Sequence, residues 1–180
     1  FAAPDRLVYS LIFGQLLLWT LIPTLTTTSL PHDVVSEGLT WGHEWQWGYH
    51  KFPPMVSWSV NIFYGIFGKA GPYLLSQICI ALTYLLTYHT AKYYVSEARA
   101  ALSVMLLSGV VFFTWHSHEF NRDIAQLPIW AAAIYLFHRI LDRNLTLDWM
   151  FLGLLFGVGM LTKYQVVILA LSLIHISEPT

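Results

Sequence analysis

The amino-acid sequence predicts an all-α protein, a polytopic bundle of transmembrane helices with a helical first external loop. Of 180 residues, 56% are apolar and only 11% are charged, whereas a soluble domain carries about 25% charged residues. The mean hydropathy is +0.56, and several apolar runs approach the roughly 20 residues that a helix needs to cross a bilayer. A soluble domain could not bury this much apolar surface, and a disordered chain requires low hydrophobicity with high net charge.

Five apolar segments are predicted to cross the bilayer. The first covers residues 7–30, with Pro23 as a kink near its end. The last covers residues 147–173, and because Lys163 interrupts it, this segment is either one long helix or two helices that meet there. The remaining predicted spans are residues 72–94, 100–115 and 124–141.

The positions of lysine and arginine near the span ends predict the orientation. With a cytoplasmic N-terminus, five basic residues in short, plain connections lie inside, and four lie outside among unusual polar residues. We therefore expect an integral, multi-pass protein of the plasma or inner membrane whose functional residues face the extracytoplasmic side. The net charge of −1 provides no basic surface for nucleic acid, and the single Cys79 cannot form an internal disulfide.

Residues that can do chemistry gather on the external side of the membrane. The first loop, residues 31–71, is long for a plain connector. Within it, residues 33–47 have helical spacing, and residues 55–67 suit a helix that lies in the membrane interface. A shorter polar turn precedes the fourth span. The polar residues of the external stretches are Asp33, Glu37, Glu44, His50, Lys51, His116, His118, Glu119, Arg122, Asp123 and Lys163.

Asp33 and Lys51 each have a functional and a structural interpretation. Asp33 can be a general base that accepts a proton from an attacking hydroxyl, or it can cap the N-terminus of the helix that follows. Lys51 can bind a phosphate as a point charge, or it can be a snorkelling cation at the interface. The residue types alone leave both pairs of alternatives open.

Lys163 and a pair of glycines stand out in the last apolar segment. A lysine between two apolar runs is costly at membrane depth, so such residues are functional by default unless they reach the interface. Gly153 and Gly157 are four residues apart and match a motif of closely packed membrane helices. We interpret the glycine pair as structural.

The turn before the fourth span contains residue types that bind divalent metals. However, His116 and His118 would not share a helix face, and their spacing matches no strong metal motif. The favoured alternative is a polar interfacial turn in which Asp123 caps the fourth span or pairs with Arg122.

Three motifs, taken in chain order, form a recognisable set. The first consists of DVVSE at residues 33–37 and WGYHKFPPMVSW at residues 47–58, the second is FNRDIAQLPIW at residues 120–130, and the third is GVGMLTKY at residues 157–164. The set resembles the polyprenyl-phosphate-sugar-dependent membrane glycosyltransferases. These are enzymes similar to dolichyl-phosphate-mannose-protein mannosyltransferases, and they include the lipid A aminoarabinose and core galacturonic acid transferases. The resemblance covers residues 7–173.

The resemblance implies a fold of the GT-C type, a helical membrane domain with its active site at the extracytoplasmic surface. Residues 1–173 are then the N-terminal part of one such domain, and residues 174–180, which break the apolar pattern, are expected to be a non-native tail. The resemblance also implies that Asp33 is the catalytic general base and that Lys51 and Lys163 bind the donor phosphate. The further candidate site residues are Glu37, His50, Glu119, Arg122 and Asp123.

The implied reaction transfers a sugar from a polyprenyl-phosphate donor to a hydroxyl of a lipid, glycan or protein acceptor. The acceptor attacks the anomeric carbon with inversion, and lysines stabilise the charge that develops on the leaving phosphate. The donor arrives from the bilayer, so no nucleotide site is required. Some relatives use a divalent cation, and the metal ligands of this chain are left open.

Two other interpretations compete with a glycosyltransferase. A transporter or flippase of a lipid-linked substrate should place its charged residues on broken helices at the bilayer midplane, and Lys163 alone suits that pattern. The abrupt change of pattern at the end of the chain also suits a truncated, inactive fragment.

Overall fold

The computed structural model describes residues 4–177, and this part of the chain contains helices, turns and loops but no strand. The prediction of an all-α bundle is therefore confirmed. The α-helices are α1 (Pro4–Thr26), α2 (Met55–Phe67), α3 (Ala70–Ala91), α4 (Glu97–Ser108), α5 (Arg122–Arg143), α6 (Thr146–Thr162) and α7 (Val166–Ser177). A π-helix covers Val34–Thr40, and two 3₁₀ turns cover Val111–Phe113 and His116–His118. Residues 174–177 of the predicted tail continue α7, and residues 178–180 lie outside the described residues.

Three helices, α1, α3 and α5, are long and apolar enough to cross a membrane, and they correspond to the predicted first, second and fourth spans. α1 ends at Thr26, four residues earlier than predicted. In its last turn the carbonyl oxygen of Pro23 accepts a hydrogen bond from the Thr27 hydroxyl at 2.7 Å. The Lys69 ammonium also binds the carbonyl oxygens of Thr24 and Thr27, so no further turn is needed to satisfy these groups.

The predicted third span is not one straight helix. After α4 the chain bends by 80° into Val111–His118. Contacts with α3 hold the bent segment, since the carbonyl oxygen of Ser117 accepts hydrogen bonds from the hydroxyl of Ser76 and, at 3.0 Å, from the side-chain amide of Gln77. These three residues are fully buried. The apolar composition of residues 100–115 does not reveal the bend, because the hydrogen-bond partners that hold the bent segment lie in α3.

α6 and α7 form a helical hairpin, so the last predicted span is two helices rather than one. The turn between them begins at Lys163, whose backbone is extended. Leu169 and Leu173 of α7 pack in one buried cluster with Leu152 of α6 and Phe137 of α5. The hairpin returns Lys163 to the end of the bundle at which α5 begins.

The close glycine contact of this hairpin differs from the predicted one. At Gly153 and Gly157 an added Cβ atom would meet no described atom within 4 Å. At Gly159 it would lie 2.8 Å from Cγ2 of Val166. The interpretation of the first two glycines as a close-packing pair is therefore wrong, and the tight approach occurs at the turn of the hairpin.

α3 is the centre of the bundle and packs against α1, α2, α4 and α5. Its residues Ile80, Tyr84 and Tyr88 are fully buried. Because lipid tails are as apolar as these helix faces, packing and interhelical hydrogen bonds hold membrane helices together. One such bond runs from the side-chain amide of Gln15 to the carbonyl oxygen of Phe113 at 2.8 Å and ties α1 to the bent segment.

The long first loop folds into the π-helix, an aromatic turn and α2. α2 confirms the helix predicted at residues 55–67. The helical prediction for residues 33–47 is confirmed only in part, because the chain leaves the helical conformation after Gly42 and Trp45 has a φ of 50°.

Two glycines let the π-helix approach α2. A Cβ atom added to Gly38 would lie 2.8 Å from Cγ1 of Val60. A Cβ atom added to Gly42, just after the π-helix, would lie 2.4 Å from the carbonyl oxygen of Ser57. The Ser57 hydroxyl donates to the carbonyl oxygen of Glu37 at 2.7 Å. This close contact fixes the backbone of Glu37 above the first turns of α2.

Candidate functional site

The predicted polar stretches meet at the end of the bundle where α1 ends and α5 begins, which we call the site end. The opposite end is where α3 ends and α4 begins. At the site end the π-helix, the loop before α2, the first turn of α5 and the turn of the α6–α7 hairpin contribute five charged side chains. They form two ion-paired groups, one around Glu37 and one between Asp123 and Lys163. These residues, the charged cluster, are Glu37, Lys51, Arg122, Asp123 and Lys163.

Glu37 joins two of the three cations. Its carboxylate binds the Lys51 ammonium through one oxygen and the Arg122 guanidinium through the other, at 3.0 Å for the arginine. The Glu37 side chain is only 17% exposed, and charge-assisted hydrogen bonds are stronger than neutral ones. One carboxylate therefore positions a lysine from the first loop and an arginine from α5 side by side.

Aromatic rings of the first loop pack against Arg122 of the charged cluster and against each other. The Arg122 guanidinium lies 4.3 Å from the ring centroid of the buried Phe52, within the range of a cation–π contact. The indole ring of Trp41 packs against Phe52 and against His50, each at 4.8 Å between centroids. The Tyr49 hydroxyl donates to the carbonyl oxygen of Trp41 at 2.6 Å, and burial raises the pKa of Tyr49, so it stays a donor at neutral pH. His50 thus packs on a ring and is not part of the charged cluster.

The first turn of α5 holds the other ion pair. Asn121 is the N-cap, because its side-chain oxygen accepts hydrogen bonds from the backbone N–H groups of Asp123 at 2.9 Å and Ile124 at 3.1 Å. The Asp123 carboxylate is left free to bind the Lys163 ammonium at 2.5 Å. The expectation that Asp123 caps this helix or pairs with Arg122 is therefore wrong on both counts.

Asp33 lies just before the π-helix and outside the charged cluster. Its side chain is 62% exposed, and its one side-chain contact among the described residues is with Nδ1 of His32 at 3.4 Å. It makes no capping hydrogen bond, so the interpretation of Asp33 as an N-cap is wrong. The carboxylate is available to a ligand.

A polar cavity of about 520 Å³ opens beside Asp33, and we call it the loop cavity. It lies between the end of α1, the loop that follows and the turn before α5. Glu119 lies in its wall, and its one side-chain partner within residues 4–177 is His118, at 3.7 Å. Glu119 is thus separate from the charged cluster. The cavity is lined by Thr26, Thr27, Thr28, Ser29, Leu30, Pro31, His32, Tyr73, His118 and Glu119.

An apolar groove of about 310 Å³ begins at the charged cluster. Asp123 lies in its wall, and the rest of the lining comes from the bent segment and from the first two turns of α5. These residues are Phe112, Gln126, Leu127 and Trp130. The groove therefore joins an apolar wall to the Asp123–Lys163 ion pair.

The described residues contain no group of three or more histidine, cysteine, aspartate or glutamate side chains arranged to hold a metal ion. His118 and Glu119 approach each other, but as a pair. A divalent cation, which the sequence left open, has no ready set of protein ligands within residues 4–177.

Two parts of the site escaped the sequence reasoning. Phe52 supports Arg122, but nothing in the run of aromatic residues distinguishes it from its neighbours. The hydroxyl-rich run at residues 26–29 lines the loop cavity, and four consecutive threonine or serine residues directly after an apolar span were a usable signal.

These features define a class, an integral membrane protein with an active-site-like charged cluster at one end of its helical bundle. The comparisons give the family. The model of the family described as dolichyl-phosphate-mannose-protein mannosyltransferase matches residues 51–176, well over half of the chain. The chain belongs to this family and is a membrane glycosyltransferase of the GT-C kind, whose substrates are a lipid-linked sugar donor and an acceptor.

No curated protein and no solved structure matched the chain. The family match includes Lys51, Glu119, Arg122, Asp123 and Lys163, whereas Asp33, Glu37 and His50 precede it. The structure joins Glu37 to the matched part through Lys51 and Arg122. It does not join Asp33 in this way.

Proposed function

We propose that the protein transfers a sugar from a polyprenyl-phosphate donor to a hydroxyl of a lipid, glycan or protein, with inversion and with Asp33 as the general base. The observation that carries this proposal is that three ion-paired cations from three separate segments, Lys51, Arg122 and Lys163, lie at one end of the bundle. The partner of Lys163, Asp123, lies in the wall of an apolar groove at the same end. A lipid phosphate has the matching form, an anionic head on an apolar chain.

The charge balance of the cluster suits a phosphodiester. Three cations and the carboxylates of Glu37 and Asp123 leave one net positive charge (3 − 2 = 1), and a phosphodiester carries about one negative charge. When the bond from the sugar to the phosphate breaks, more negative charge develops on the phosphate oxygen. Fixed cations at that position stabilise the transition state more than the ground state.

The apolar groove supplies the place for the lipid chain. It runs from Asp123 along Leu127 and Trp130, and its walls offer packing surface to a hydrocarbon chain. A donor whose phosphate lies at Lys163 can therefore extend its first prenyl units along α5 without exposing them to water.

Asp33 has the accessibility that a general base needs. The acceptor oxygen forms a bond to the anomeric carbon while the bond from that carbon to the phosphate oxygen breaks. The hydroxyl proton moves to the Asp33 carboxylate, and the polyprenyl phosphate leaves with the electron pair. The 62% exposure of the Asp33 side chain and the absence of a lysine or arginine partner among the described residues leave its carboxylate able to accept that proton.

We further propose that the site end faces the extracytoplasmic side of the plasma or inner membrane. Support comes from the positive-inside rule, since the basic residues in the short connections lie at the opposite end. Cysteines introduced at residues 44 and 119 should react with a membrane-impermeant maleimide from outside. Reaction only from the cytoplasmic side would reverse the proposed orientation.

The decisive experiment replaces the proposed base. Asp33→Asn keeps the shape of the side chain and removes its basicity, so transfer from dolichyl-phosphate mannose by the purified protein in nanodiscs should fall about 100-fold to 10,000-fold. Glu44→Gln, an exposed change in the same loop whose carboxylate contacts only Gln46 among the described residues, is the matched control. Unchanged transfer by the Asp33 variant would show that another group takes the proton.

A further inference from the structure

We propose that the loop cavity binds the acceptor, and that the part of the acceptor held there is a neutral, hydroxyl-rich group such as a sugar ring rather than a phosphate-bearing one. The proposal rests on the proposed function only in calling this ligand the acceptor. The cavity itself, its lining and its charge are features of the structure.

The lining of the loop cavity is suited to hydroxyl groups. Eight of its ten residues carry a side chain that forms hydrogen bonds. The hydroxyls of Thr28 and Ser29 have no hydrogen-bond partner within residues 4–177. A polyhydroxylated ligand both donates and accepts hydrogen bonds, and a hydroxyl without a protein partner, as on Thr28 and Ser29, can also do both.

The charge of the cavity disfavours an anion. No lysine or arginine lines it, and the nearby Lys69 directs its ammonium to the backbone carbonyls of Thr24 and Thr27. In the described part of the chain, the carboxylates of Glu119 and Asp33 each contact only the neighbouring histidine. In the charged cluster, by contrast, each carboxylate forms an ion pair with at least one lysine or arginine. A phosphate therefore fits the charged cluster, and neutral hydroxyls that donate to carboxylates fit the loop cavity.

The position of the cavity agrees with inversion. Asp33 and Glu37 are four residues apart, about one turn of a π-helix. His32, next to Asp33, lines the loop cavity, whereas Glu37 holds Lys51 and Arg122. The acceptor and the leaving phosphate would thus be bound at different places, the loop cavity and the charged cluster, and a displacement with inversion needs separate positions for its nucleophile and its leaving group.

Cysteine protection tests the cavity without requiring sugar transfer. We would introduce Ser29→Cys into a Cys79→Ala background, reconstitute the chain in nanodiscs and measure its labelling by a membrane-impermeant maleimide. Methyl α-mannopyranoside, at about twice its dissociation constant, should slow labelling roughly threefold. Glycerol 3-phosphate should not slow it. Gly48→Cys, in an exposed loop position with open space around it, is the control and should be insensitive to both compounds.

A second variant tests the role of the carboxylate. Glu119→Gln should raise the concentration of methyl α-mannopyranoside needed to protect the thiol introduced at position 29 about tenfold, because a hydrogen bond to a charged acceptor becomes one to a neutral amide. Glu44→Gln should leave the protection unchanged. A thermal unfolding curve for each variant checks that both remain folded.

Three results would overturn the proposal: no protection at position 29, equal protection by glycerol 3-phosphate, or equal protection at position 48. Sugar transfer measured on the same preparations separates this proposal from the proposed function. Protection by the glycoside without sugar transfer would support ligand binding in the loop cavity and contradict the proposed function. Sugar transfer without protection would support the proposed function and contradict ligand binding in the loop cavity.

Discussion

At the opposite end of the bundle, ion pairs join one helix directly to another. Arg139 of α5 binds the buried Asp148 of α6 at 2.9 Å. Lys92 after α3 binds Asp5 of α1 at 3.5 Å and Glu97 of α4 at 3.0 Å. At the site end the pairs instead join loops and helix ends. The same residue types therefore fasten helices to each other at one end, while at the other they fasten the first loop and the hairpin turn to the π-helix and to the start of α5.

This difference predicts that charge removal has opposite consequences at the two ends. At the site end, activity should fall while the free energy of unfolding changes little. At the opposite end, the free energy of unfolding should fall while each folded molecule keeps its activity. The following variants test that contrast.

The largest effect is expected for Lys163→Met at the site end. Losing one preorganised cation at the leaving phosphate should lower kcat/KM about 100-fold to 1000-fold. Stability should change by less than about 1 kcal/mol, since the partner Asp123 is 60% exposed and such pairs contribute little. Sugar transfer from dolichyl-phosphate mannose and thermal unfolding in nanodiscs measure the two quantities. A variant that loses stability but keeps its kcat/KM would place Lys163 among the structural residues.

The next effect is expected for Arg139→Met at the opposite end. The Asp148 carboxylate, 2% exposed, would lose its cation, and breaking such a buried pair costs about 3 kcal/mol. Unfolding should therefore occur at lower temperature or denaturant concentration, while kcat for the folded fraction stays the same. Arg143→Met is the matched control, because its partner Asp142 is 63% exposed. Equal destabilisation by both variants would contradict the structural role of the buried pair.

A smaller effect is expected for Glu37→Gln, which tests positioning rather than charge. Lys51 and Arg122 would lose the carboxylate that holds them together, so the KM for the donor should rise about tenfold with a smaller change in kcat. Glu44→Gln should leave both constants unchanged. A lower donor KM in the Glu37 variant would mean instead that this carboxylate competes with the phosphate for the two cations.

The same contrast explains how much of the site could be predicted from the sequence. Composition and the length of apolar runs predicted the bundle and three of its spans, because these depend on local hydrophobicity. The bend after α4 depends on Ser76 and Gln77 of another helix, which no local pattern contains. The sequence proposed Lys51 and Lys163 as candidate site residues but did not indicate which carboxylates they pair with. The partners Glu37 and Asp123 follow from how the π-helix and the hairpin pack.

The smallest effect is expected at the opposite end when the pH rises. A side-chain hydrogen bond to Glu97 raises the pKa of Lys92 above its ordinary value of 10.5. A group whose pKa is higher in the folded protein stabilises it fully below the ordinary value, and this contribution is lost as the pH rises through the higher one. The melting temperature of the wild-type protein should therefore decrease above about pH 10.5. Lys92→Met should be less stable at neutral pH and should show a shallower decrease. If the decrease above about pH 10.5 were equally steep in this variant, Lys92 would not be the group responsible, and the ion pairs with Asp5 and Glu97 would not fasten this end.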